Sequence, residues 1–164
     1  MMLPLEKSKK KIDSYEKGKQ FEEYVRKLFN EQNFKLIDWR RSEKFDYNSL
    51  PKNHSDPDLE LRFGRGQYKF AVECKWRQEF NDGIFWWDKK NLSLEIYKKY
   101  SRENNIPVFI VIGIGGNPSS PEKMFVTPLE RIRSTTQICE SDLIPYRRKP
   151  THKFYYDINQ MRLF

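Results

Sequence analysis

Residues 70–77, FAVECKWR, read as a β-strand because aromatic and branched side chains dominate the run. In its middle, Glu73 and Lys75 stand two residues apart with Cys74 between them. Successive strand side chains point to opposite faces, so Glu73 and Lys75 project to the same side. The bland explanation is an exposed ion pair, worth at most about 1 kcal/mol. The sharper one is half of a reaction centre, and the neighbouring sequence bears on the choice.

The alternation extends on both sides of a turn. In YKFAVECKW (68–76), Tyr68, Phe70, Val72, Cys74 and Trp76 share one face, and Lys69, Ala71, Glu73 and Lys75 share the other. DLELRF (58–63) alternates as well, with Asp58, Glu60 and Arg62 opposite Leu59, Leu61 and Phe63. The intervening GRGQ makes the pair a β-hairpin. If Arg65 and Gly66 centre the turn, Phe63 opposes Tyr68, Leu61 opposes Phe70, and Asp58 opposes Glu73. A three-residue loop would shift the register by one and separate the two acids. In the first register their Cβ atoms lie about 5 Å apart, which is unfavourable unless something positive sits between them. Lys75 serves in part, and a divalent cation serves better, since Mg²⁺ favours carboxylates, water and phosphate oxygens. Asp56 reads as a loop residue, while Glu60 shares the face of Asp58 and stays open as an auxiliary.

Upstream, a helix is expected over about Asp13 to Glu31, with Asp13 or Ser14 as N-cap and an apolar face of Phe21, Tyr24, Val25, Leu28 and Phe29. At about 100° per residue, Glu22 lies on the margin of that face and Glu23 faces solvent. Taken alone, Glu22 reads as an ordinary surface acid. FKLIDWR (34–40) is a strand and YNSLPKNHSDP (47–57) a loop. After a loop containing IFWW come a helix over about Ser93 to Asn104 and a buried strand, IPVFIVIGI (106–114). Beyond it lie a short strand at 124–128, a helical turn at LERIR, a basic loop at 144–153 and a closing strand at 153–158. The core order is α, β, β, β, α, β. Residues 1–12 read as a mobile, lysine-rich leader and 13–164 as a single domain, with a core over about 14–115 and an extension over 116–164.

The totals are consistent with that organisation. A chain of 164 residues is long enough to bury a core without staples, and its 15% aromatic content argues against disorder. A net charge of +8 suits a polyanionic partner, nucleic acid above all. No apolar run approaches the roughly 20 residues that cross a bilayer, and the amino terminus lacks the apolar stretch of a signal peptide. Two cysteines without CxxC spacing and two distant histidines make neither a zinc site nor a disulfide framework. The expected location is cytoplasmic, with no membrane partner.

A helix carrying GKQFEEYVRKLF, then DPDLEL, then a strand ending AVECKWR resembles the PD-(D/E)XK nuclease superfamily. The motif is Pro57-Asp58 followed by Glu73-Cys74-Lys75. The resemblance covers roughly residues 14–115 and implies an α/β restriction-endonuclease-like fold, an αβββαβ core with a mixed central sheet flanked by helices. It implies a metal-dependent endonuclease in which Asp58, Glu73 and the backbone carbonyl of Cys74 hold Mg²⁺ or Mn²⁺. Lys75 would orient or help deprotonate the attacking water, or stabilise developing charge. Glu22 would add to the metal shell directly or through water.

DNA is the substrate that the resemblance favours over RNA. Arg77, at the strand's exit, is a candidate phosphate contact, and Trp86 and Trp87 in IFWWDKK are candidates for base stacking. For the aromatic loop, capping the core or a dimer interface is an equal reading. Lys98 on the second helix is a further candidate backbone contact. The size leaves little room for a separate recognition domain, so a structure-selective, repair or mobile-element nuclease fits best, with a sequence-specific enzyme requiring a homodimer or a partner subunit. The rival from another class is a silent nucleic-acid-binding module or complex subunit with the same fold.

Overall fold

The computed structural model describes residues 13–40, 56–87, 93–134 and 136–164. The leader at 1–12 and most of the loop at 47–57 lie outside the described residues. Helix α1 spans Ser14–Lys27 and is followed by strand β1, Phe34–Trp39. Asp13 caps α1 by accepting a hydrogen bond from the Glu16 amide at 2.8 Å. The helix stops at Lys27 rather than Glu31, because the Leu28 and Phe29 amides turn back to the Val25 and Arg26 carbonyls. Leu28 and Phe29 are nonetheless buried, so the apolar face continues into the turn.

Strands β2, Leu59–Phe63, and β3, Tyr68–Arg77, form an antiparallel hairpin. Its pairs run Phe63 with Tyr68, Leu61 with Phe70 and Leu59 with Val72, the first of the two expected registers. Gly64 opens the four-residue turn at φ +64°, a conformation that side chains with a Cβ rarely adopt. Strand β4, Ile84–Trp86, follows, then helix α2, Ser93–Asn104, then β5, Val108–Ile114, and β6, Lys123–Pro128. The remaining elements are β7, Gln137–Cys139; α3, Glu140–Leu143; β8, Arg147–Arg148; β9, Tyr156–Asp157; and β10, Arg162–Leu163. Short 3₁₀ turns occupy Leu129–Arg131 and Ile144–Tyr146.

Six strands form one mixed sheet in the order β1-β2-β3-β5-β6-β8, with β3 and β5 parallel and every other neighbour antiparallel. Only the β3–β5 pair needs a crossover, and α2 lies within it. The core divides between the two faces. On the α1 face, Phe21 and Val25 pack with Leu59, Leu61, Phe70, Val72, Phe109 and Val111. On the α2 face, Leu94, Tyr97 and Tyr100 pack with Ala71, Ile110 and Ile112. Gly113 is fixed by the first of these layers, since a Cβ there would come within 2.5 Å of the Phe21 ring.

Three local expectations change. IFWW is not a loop: Ile84–Trp86 pairs with Gln137–Cys139 in a small two-stranded sheet, burying Phe85 and Trp87. Part of the basic loop, Arg147–Arg148, is an edge strand against β6. The closing segment is a two-residue strand paired with β10 rather than one run over 153–158. It also fills the core: the Tyr156 ring stacks on Phe70 at 4.9 Å and Phe154 on Phe29 at 4.4 Å. No helix among the described residues is long and apolar enough to cross a membrane.

Candidate active site

The site forms where β3 outruns β2. Pairing between the two strands ends at Leu59 and Val72, and β3 continues to Arg77. Asp58, one residue before β2, turns its carboxylate to that overhang: Oδ2 accepts a hydrogen bond from the Cys74 amide at 2.9 Å. Glu73 answers from β3, with Oε2 accepting from the Asp58 amide at 3.1 Å. Glu73 thus fixes the Asp58 amide and Asp58 the amide that follows Glu73, and both acids are buried, Asp58 at 6% and Glu73 at 2% exposure. Main-chain groups of Ala71 and Arg77 bond toward the β5 side. Cys74 points its amide the opposite way, and a strand residue's carbonyl faces the same edge as its amide. The Cys74 carbonyl thus looks toward Asp58.

Charge is poorly compensated here. Burial, and next the Asp58 carboxylate, push the Glu73 carboxyl up to about 8, while Lys75 and a hydrogen bond with Tyr97 act the other way. Lys75 Nζ lies 3.4 Å from Glu73 Oε1. It also sits 5.4 Å from the centre of the Trp87 ring, a cation–π arrangement that holds it beside the acids. An exposed ion pair is excluded as the explanation of Glu73, because its side chain is only 3% exposed. The Asp58 and Glu73 carboxyl groups, together with a carbonyl, form an all-oxygen donor set. Such a set fits a hard divalent cation.

Glu22 is placed differently. It is buried on α1 and accepts a hydrogen bond from the Trp39 indole at 3.3 Å. Helix α1 covers the face of β3 that carries Phe70 and Val72, whereas Glu73 and Lys75 lie on the face of Ala71. Among the described residues no group of three or more His, Cys, Asp or Glu side chains is arranged to hold an ion. Glu22, expected to add to the metal shell directly or through water, thus sits on the helix that covers the opposite face of β3 from Glu73. A bulge between Leu36 and Asp38 explains the contact with Trp39: it reverses the alternation of β1 and brings Trp39 to the α1 side, paired with Leu59.

Of the expected nucleic-acid contacts, Trp87 is displaced. At 3% exposure, packed against Phe85 and Tyr97, it offers no face to a base. Trp86, on the other side of β4, is 37% exposed. Arg77 is exposed, with its guanidinium over the Phe85 ring at 5.3 Å. Lys98 is engaged with the Ile132 carbonyl at 2.8 Å and borders a cavity beside Pro107–Phe109 and Pro128–Glu130, apart from the acids.

Two residues escaped the sequence reading. Tyr97 could have been suspected, since Leu94, Tyr97 and Tyr100 recur on the buried face of α2 and a buried phenol requires a partner. Arg40, 12% exposed, gave no such signal. Its amide bonds the Asp58 carbonyl at 3.1 Å and its guanidinium the Pro57 carbonyl, so it clamps the peptide carrying Asp58 from both sides. The same guanidinium lies 3.5 Å from Asp38 and from Glu60, 3.8 Å from Asp56 and 3.2 Å from the Tyr100 hydroxyl. It offsets three acids that would otherwise repel one another, and Glu60 and Asp56 belong to this cluster rather than to the Asp58–Glu73 pair.

No family model and no curated protein matches the chain. Among solved structures, the chain is similar to Hjc of Archaeoglobus fulgidus, a Holliday junction resolvase from an archaeal hyperthermophile. The TM-score is 0.55 with 17% sequence identity, covering 81% of this chain and 91% of the resolvase. The order of elements, the mixed sheet and this likeness together give the chain a restriction-endonuclease-like fold.

Proposed function

We propose that the protein is a divalent-metal-dependent endonuclease that hydrolyses phosphodiester bonds in DNA, of the structure-selective or repair type. The observation that carries this reading is the reciprocal pair of buried acids, Asp58 and Glu73, with Lys75 held 3.4 Å from Glu73. Asp58, Glu73 and the Cys74 carbonyl would hold Mg²⁺ or Mn²⁺, which supplies polarisation of the phosphoryl oxygen and acidification of bound water. Glu73 must lose its proton for that, and Tyr97 and Lys75 both favour its ionised form. The Lys75 ammonium, gripped between Glu73 and the Trp87 face, would donate to the attacking water or to an oxygen of the reacting phosphate. Arg40 fixes the turn so that the Asp58 carboxylate meets the Cys74 amide. Glu22 would act through water, with Trp39 setting its orientation.

The second reading is a nucleic-acid-binding module of the same fold without cleavage. Incubating the protein with supercoiled, branched and single-stranded DNA and with RNA, in Mg²⁺ or Mn²⁺, separates the two. Cleavage lost in Asp58→Ala and Lys75→Ala is expected. Cleavage that survives both substitutions contradicts the site, and metal-independent binding with no cleavage selects the second reading.

A further inference from the structure

A groove of about 560 Å³ begins at Cys74 and Lys75 and runs between the first turns of α1 and the overhanging end of β3. Its β3 wall starts at Cys74, whose amide bonds Asp58, and continues through Trp76 and Arg77 to Gln78. Its α1 wall carries Tyr15 and Lys17. Among the described residues the lining holds three cations, Lys17, Lys75 and Arg77, and no carboxylate. Two other grooves among the described residues each include an acid, Glu130 in one and Glu31 in the other. Aromatic surface is interleaved with the charge. Tyr15 is 41% exposed, and Lys17 Nζ lies 5.9 Å from the centre of the Trp76 ring, which holds that ammonium at the groove wall. The Trp76 indole is itself tied to the Gly115 carbonyl at 3.2 Å, so this wall is braced by the β5 side of the sheet.

We propose that this groove binds the single polynucleotide strand leading from the reacting phosphate. Lys17 and Arg77 engage successive backbone phosphates, and Tyr15 stacks on an unpaired base. The chemistry is that of sequence-tolerant strand binding, in which cations follow the backbone and an aromatic face takes bases of any identity. The inference deepens and rests on the proposed nuclease reading, because the groove shares Cys74 and Lys75 with that site. It also predicts that unpaired or branched DNA binds better than a closed duplex, since only a separated strand enters a groove with a helix on one side.

The test uses the full chain in an Asp58→Asn background, so that no strand is cut, with fluorescently labelled single-stranded DNA, branched DNA, duplex DNA and single-stranded RNA. Lys17→Glu is compared with Lys27→Glu, which makes the same charge change at an exposed lysine on the other end of α1. The expected result is about a tenfold or greater loss of affinity for Lys17→Glu, with a salt dependence lowered by about one phosphate contact, and a several-fold smaller loss for Lys27→Glu. Tyr15→Ala should weaken single-strand binding by about fivefold or more and duplex binding much less. Lys17→Gln, with an unchanged melting temperature, guards against misfolding and should lose affinity in the same direction. Equal losses for the two charge reversals, or no binding to any of the four probes, overturn the groove. Cleavage is scored separately in the Asp58 protein: binding that follows the prediction without any cleavage leaves the groove standing and removes the nuclease reading.

Discussion

Strand β3 has two faces with opposite demands. On the α1 side, Phe70, Val72 and Cys74 are sealed into a layer of aromatic contacts in which Phe70 meets Phe29, Phe34, Phe109 and Tyr156. On the α2 side, Ala71 leads to Glu73 and Lys75, an acid buried beside another acid. The first face stabilises the fold, and the second is a standing electrostatic cost that the first must offset. Functional sites often sit where a local rule of stability is broken, and here the break is confined to alternate residues of one strand.

The comparison predicts that substitutions on the two faces fail in different ways. The largest effect is expected from Asp58→Ala, a loss of cleavage by about a thousandfold or more with the melting temperature little changed; cleavage rates and thermal melts measured together check it. On the other face, Phe70→Ala should destabilise by about 3–5 kcal/mol in denaturant titration while leaving the activity per folded molecule. A loss of activity with unchanged stability there would erase the distinction between the faces.

An intermediate effect concerns pH. The Glu73 carboxyl is raised to about 8 in the folded protein against an ordinary 4.5, so the folded state binds the extra proton between those values. Its contribution to stability is fully present below about 4.5 and is lost as pH rises through about 8. The metal-free protein should accordingly melt lower at pH 9 than at pH 6, and Glu73→Gln should flatten that slope. Added Mg²⁺ should stabilise more at pH 9 than at pH 6, because proton and ion compete for one carboxylate. A wild-type slope identical to that of Glu73→Gln would contradict the assignment.

Arg40→Lys should cost about 1–3 kcal/mol, since a single ammonium does not replace a fork that serves Pro57, Glu60 and Tyr100 at once. The smallest effect is expected from Tyr97→Phe. Loss of the hydroxyl removes an interaction that favours ionised Glu73, so the pH at which metal binds should move upward by less than one unit. A downward shift would mean that Tyr97 does not support the ionised carboxylate.

The hairpin was legible in the sequence because three signals agreed: alternation on both strands, a glycine-bounded turn, and charged residues at positions that a packed strand would fill with apolar ones. That agreement did not fix the register: one of the two loop lengths put Asp58 opposite Glu73, and the other separated them. Glu22 was legible only as a margin residue on a helical wheel, and its partner was not, because the bulge that swings Trp39 to α1 leaves no compositional trace. The strand formed by Ile84–Trp86 was hidden for a related reason: its partner, Gln137–Cys139, lies some fifty residues downstream, and three-residue strands carry almost no alternation. Arg40 binds groups on four separate segments, and such convergence is a property of the fold rather than of spacing.

The central claim is that Asp58 and Glu73 share one divalent cation and release a proton to do so. Calorimetric titration of the metal-free protein with Mn²⁺ at pH 7, repeated in buffers of different ionisation enthalpy, measures both the ion and the proton. The account predicts saturable binding that releases about one proton per ion, abolished in Asp58→Asn and, for the proton, in Glu73→Gln. Mn²⁺ binding that is absent in the wild-type protein, or unchanged in both variants, would contradict it.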